Sequence, residues 1–155
     1  MASISKQLVA AIAAVLNAAP TTGAGALDFE RPIIADQSAP ETDLAQIATV
    51  KPRVYIINSV RPSTLETRST RKFEPVVEIG LQRRHTVKTD DGDSTRELTE
   101  LVEAYLWLHA RTVQLTNGSV YSLLESNLDP VFVPQHSREA RVMTCVIQTA
   151  YRGLS

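Results

Sequence analysis

The chain has 155 residues, 43% of them hydrophobic and 21% charged, with a formal net charge of −1. That length supports one domain with a real core, and the near-neutral balance excludes any global attraction to nucleic acid. The single cysteine, Cys145, excludes an internal disulfide and lies in an apolar run that marks it as a small buried hydrophobe.

Ile4, Leu8, Ile12, Val15 and Leu16 fall on one helical stripe, with Lys6, Gln7 and Asn17 away from it. A helix is therefore predicted from Ser5 to Ala18, stopped by Pro20. Lys6 followed by the apolar run Leu8 to Leu16 mimics a secretory leader, but an amphipathic stripe argues against one. No run approaches the roughly 18 apolar residues of a membrane span. Thr21 to Ala26 reads as a connector and Asp28 to Ile34 as a short strand. Asp36 to Thr49 reads as a polar loop with one helical turn near Asp43 to Ile47.

Arg53 to Val60 is rich in β-formers. Phe73 to His85 places Phe73, Val77, Ile79 and Leu81 on one face and Glu74, Glu78 and Gln82 on the other, so these two strands should form the heart of a sheet. Pro75 cannot donate to a ladder and puts its end of the strand at or beyond the sheet margin. The connection Arg61 to Lys72 is polar and long for a hairpin loop, and is predicted to project as a basic loop that meets solvent, the acidic face of a neighbouring subunit as an ion-pairing arm, or passing DNA phosphate.

Ser94 and Glu97 have capping-box spacing, and Leu98, Leu101, Val102, Tyr105, Leu108, His109 and Thr112 follow at helical intervals. They predict one long central helix over 94–116, stopped at Asn117-Gly118, with acids clustered at its start where the helix dipole favours them. Strands Val120 to Glu125 and Arg138 to Tyr151 come next, separated by Asp129-Pro130 and Pro134. The order of elements implies a single α+β domain: a mostly antiparallel twisted sheet packed by the N-terminal helix and the central helix.

Charge cancels overall but separates along the chain. Lys51 to Lys88 holds nine basic residues against three acids, while Asp28 to Asp43 has a net −4 and Asp90 to Glu103 a net −5. Such segregation favours one face of a subunit attracting a different face of its neighbour. The expected interface residues are Arg61, Arg68, Arg71, Lys72, Arg83 and Arg84 on the basic side and Asp28, Glu30, Asp90, Asp91 and Asp93 on the acidic side.

Catalytic signatures are missing from the sequence, and no enzymatic activity, cofactor or metal is expected. There is no Gly-x-Ser-x-Gly elbow, and Cys145 has no electropositive neighbour within its strand. His85, His109 and His136 lack metal-ligand spacing, and His109 reads as a packed residue on the apolar stripe of the central helix. Asp90-Asp91-Gly92-Asp93 resembles the start of a calcium loop, but the twelfth position is Leu101 rather than Glu. One aromatic, Phe73, adjoins the basic arm, which is too few for base stacking. A small hydrolase or ligand-binding domain would have to use His109 with Glu100 or Glu103, and Glu103 falls on another side of the helix. Trp107 suits either core or interface.

The order of motifs resembles that of bacteriophage tail terminator, or tail completion, proteins of long-tailed phages. The residues that carry it begin with Asp28-Phe29-Glu30-Arg31, Arg53-Val54-Tyr55-Ile56-Ile57 and Thr67-Arg68-Ser69. They continue with Phe73-Glu74-Pro75 through Arg84, Leu98-x-x-Leu101-Val102-Glu103, Asp129-Pro130-Val131-Phe132-Val133-Pro134 and the closing strand. Pro75 departs from the family pattern at the start of its strand, and Asp36 to Thr49 has no firm match. The resemblance implies a subunit of a homohexameric ring in the virion, at the head–tail junction. Its partners would be the tail tube protein and the head connector or stopper protein, with DNA passing through the bore and assembly in the host cytoplasm. A head-closure or other neck protein is the nearest alternative.

Overall fold

The computed structural model describes residues 4–31, 33–35, 51–59, 64–65, 71–72, 75–84, 91–129 and 142–154. Helix α1 (Ile4–Asn17) is followed by β1 (Ile34–Ala35), β2 (Arg53–Ser59), β3 (Thr64–Leu65), β4 (Arg71–Lys72) and β5 (Val76–Arg84). Helix α2 (Asp91–His109) and strands β6 (Thr112–Gln114), β7 (Val120–Asp129) and β8 (Val142–Leu154) complete an α+β fold. The main sheet has the order β1-β2-β5-β8-β7-β6 and is antiparallel except where β1 joins β2. Strands β3 and β4 pair with each other as a separate two-stranded sheet.

Helix α1 packs against both β2 and β6, although three strands stand between these two in the sheet. The sheet therefore curls around the helix. Leu8, Ile12 and Leu16 are fully buried against Val54, Ile56, Val77, Ile79, Leu81, Ile147 and Tyr151, with Val102 and Leu106 contributed by α2. A 14-residue helix is marginal in water by itself. Burying each such aliphatic side chain contributes up to about 1.5–3 kcal/mol, so packing rather than propensity holds α1 in place.

The end of α1 is tied down by side chains. Arg31 donates from its guanidinium to the carbonyls of Leu16, Asn17 and Leu27 and lies 4.4 Å over the ring of Phe29. Asn17 Oδ1 accepts from the Ile33 N–H. These bonds take up helix-end carbonyls that would otherwise lack partners. They also explain a departure from the expected strand Asp28 to Ile34, because Arg31 draws the chain onto the helix end and only Ile34–Ala35 joins the sheet.

A second departure concerns the central helix. It begins at Asp91, three residues before the predicted cap at Ser94, and ends at His109 rather than running over 94–116. Thr112–Gln114 is a strand because Val113 and Leu115 are buried while Thr112 and Gln114 are exposed, which is period-two burial. Asn117-Gly118 is then a hairpin turn. Gly118 donates to the Leu115 carbonyl at 3.0 Å, Leu115 donates to that of Ser119 at 2.8 Å, and Gly118 takes φ +90°, which favours glycine.

Strand β7 pairs Leu123 with Tyr151 but Glu125 with Ala150, leaving Leu124 as a bulge. The bulge resets the register so that Leu123 and Ser126 both face the helices despite their odd spacing. Pro75 lies just before β5, and its carbonyl accepts from the Tyr151 N–H at 3.0 Å. The expected turn near Asp43 to Ile47 and the Pro130 to Pro134 excursion lie outside the described residues.

Candidate functional site

Of the charged residues expected at an interface, Asp28, Glu30, Arg83 and Arg84 are described with their side chains. Asp28 is exposed and pairs with Lys51 of the same chain at 3.3 Å. Both partners are about half exposed, so the pair contributes at most about 1 kcal/mol, and it joins the first acidic block to the basic segment within one subunit. Glu30 is exposed beside it. Arg83 and Arg84 are consecutive on β5 and so face opposite sides of the sheet, which prevents them from forming one patch. Arg71 and Lys72 form β4, opposite Leu65 and Thr64. Asp91 and Asp93 lie at the start of α2. Arg61, Arg68 and Asp90 lie outside the described residues.

The sheet face turned away from the helices carries a buried polar row. Arg53 donates to Gln82 Oε1 at 2.7 Å, and Gln82 donates onward to Thr144 Oγ1 at 3.4 Å. Beside this row the ring of Tyr55 covers Gly80 on the next strand. Gln82, fully buried, is thereby bonded on both sides, as a buried polar group must be.

Polar contacts tie α2 to β7. Trp107 Nε1 donates to Ser126 Oγ at 2.8 Å, and Ser126 donates to Glu103 at 3.0 Å. His109 is exposed at the last turn and stacks on Tyr105 with ring centroids 4.2 Å apart, so the packed position on the apolar stripe is corrected. Glu103 and His109 are thus turned to different neighbours. Burial pushes the Cys145 thiol up, outweighing the lowering by a Thr99 hydrogen bond and by Arg96, which leaves it a protonated core group. Among the described residues no group of three or more His, Cys, Asp or Glu could hold a metal ion, and no helix is long and apolar enough to cross a membrane.

Two apolar surface features escape the charge-based reading. The buried side of α2 is Thr95, Thr99, Val102 and Leu106, with Ala110 buried just beyond its end, so Leu101 and Leu108 point outward, Leu108 with 78% of its surface exposed. Between α1 and β6 runs an open groove of about 740 Å³. Its walls include Ala10, Ala11, Ala14, Val15, Val113 and Leu115, with Lys6 its one charged lining residue. Thr116 donates across it to Gln7 Oε1 at 2.7 Å. The visible signal for the groove was the run of alanines on the helix side opposite the leucines.

No known family model matches the sequence, and no curated protein matches it.

Proposed function

We propose that the chain is a structural subunit of a ring at the head–tail junction of a long-tailed bacteriophage, in the manner of a tail terminator protein. In this reading six copies close on the last ring of the tail tube, halt its growth and present a surface to the head connector, with DNA passing through the bore. Neither cofactor nor metal takes part, and the role is assembly rather than catalysis.

The observation that carries the reading is the β3–β4 pair. It forms a sheet of its own between the two central strands β2 and β5, within the most basic stretch of the chain. A strand pair separate from the main sheet, with Arg71 and Lys72 in its sequence, suits an arm that reaches an acidic neighbour, such as the Asp91 and Asp93 end of α2 on the next copy.

Native mass spectrometry and electron microscopy of the purified protein test this. A closed ring is expected, and isolated monomers or dimers at every concentration overturn it. The double change Arg71→Glu with Lys72→Glu should weaken assembly most at low salt, because exposed ion pairs are screened within about 10 Å at 0.1 M. Assembly indifferent to both charge and salt removes the arm from the mechanism.

A further inference from the structure

Helix α2 carries an unpartnered row on its outer side. Glu97, Leu101, Ala104 and Leu108 are all exposed and follow one another at intervals of four, three and four, so they form a single ridge. Two outward leucines on one row are more apolar surface than the fold of one copy uses. The groove between α1 and β6 is the complementary shape: a trough floored by alanines and by the edge strand, with a cation at one end and no acid in its lining.

We infer that the ridge of one copy docks into the α1–β6 groove of the next, an inference that rests on the reading of the chain as a self-assembling ring subunit. Three features select a second copy as the occupant. The first is charge, since Glu97 heads the ridge and Lys6 heads the groove, with Arg111 exposed just before β6. The second is length. At about 1.5 Å per residue the ridge from Glu97 to Leu108 spans roughly 16 Å, and the groove wall from Lys6 to Val15 roughly 13 Å. With Glu97 beside Lys6 and the two helices parallel, Leu101 comes level with Ala10, and Leu108 comes level with Asn17, one half-turn past the Val15 end of the trough. The third is side-chain size, because Ala10, Ala11 and Ala14 allow the close approach of helix axes that leucine knobs require.

Ridge and groove sit on different elements, so each copy offers both halves of the contact and copies can follow one another head to tail. Such contacts close into rings when the rotation per copy allows, and they leave no unpaired end once closed. The docking also covers β6, the last strand of the main sheet among the described residues, and strand edges are ordinarily shielded.

Complementation of two broken surfaces tests it. Leu108→Arg spoils the ridge and keeps the groove, while Ala14→Arg spoils the groove and keeps the ridge; both positions are exposed in the single copy, and circular dichroism checks that each variant folds. By light scattering after size exclusion, the unaltered protein should be oligomeric and each variant monomeric. An equimolar mixture should give a one-to-one dimer and nothing larger, because a single intact ridge–groove contact remains. A variant that keeps the full oligomer, or a mixture that stays monomeric, overturns the docking while leaving the ring reading in place. An unaltered protein that is monomeric at every concentration overturns both.

Discussion

The ring of Tyr55 lies directly across Gly80, its partner on the neighbouring strand, so closely that a methyl group on Gly80 would overlap the ring. A glycine here provides space rather than backbone freedom. Gly80→Ala should lower stability by about 1–3 kcal/mol, the range for overpacking a tight site. Urea unfolding should show a lower midpoint with an unchanged slope, and combining it with Tyr55→Ala should cost less than the sum of the two single changes.

Tyr151 is fully buried and donates its hydroxyl to the Ala110 carbonyl at 3.0 Å, joining the central strand β8 to the end of α2. Tyr151→Phe leaves that carbonyl unpaired and should cost about 1–3 kcal/mol. Burial raises the Tyr151 pKa above the usual 10.0 of tyrosine. Below about pH 10 the folded and unfolded chains both hold the proton, and the stabilisation is complete; above it the unfolded phenol ionises first, so stability falls as pH rises towards the folded value. The phenylalanine variant should show a flatter alkaline profile in denaturation experiments. A residual slope should remain from Tyr121, which burial shifts in the same direction.

Ser126 both accepts from Trp107 and donates to Glu103. Ser126→Ala breaks both bonds at once and should lower stability by about 1 kcal/mol, since both partners are half-buried and water recovers part of the loss. Trp107 is the one tryptophan in the chain, so its fluorescence during urea unfolding reads this element directly.

Arg31 spreads one guanidinium over three carbonyls, a geometry a lysine ammonium does not reproduce. Arg31→Lys should therefore destabilise by roughly 2 kcal/mol through loosening of the end of α1, close to the effect of Arg31→Ala. Thermal unfolding of the two variants checks this, and full rescue by lysine would refute it.

Much of the sheet was legible because burial on one face leaves a period of two. The alternation through Val77, Ile79 and Leu81 placed β5, and the β-rich run Val54 to Ile57 placed β2. The central helix misled for a specific reason. Its real contact side includes Thr95 and Thr99, which hydropathy discounts, while Leu101 and Leu108 occupy the outer row at a spacing that also fits a core stripe. Counting those leucines as core carried the predicted helix past its true end and hid the strand at Thr112. The Tyr55–Gly80 contact and the Leu124 bulge depend on which strands become neighbours, and local pattern does not carry that. The charged interface residues were legible as composition along the chain, but composition does not state that Arg83 and Arg84 diverge.

Strands β1, β2 and β5 form one half of the main sheet and β8, β7 and β6 the other, and the halves join along a single seam, β5 with β8. Every rung of that seam, from Val76 with Ala150 to Arg84 with Val142, links positions dozens of residues apart. Closing such large loops costs chain entropy before any rung forms, and the core shared by α1, β2, β5 and β8 is complete only when the seam has closed. Folding should accordingly be a single slow, all-or-none event, and copies competent to assemble should emerge together, without a partly zipped species that could join a growing structure prematurely.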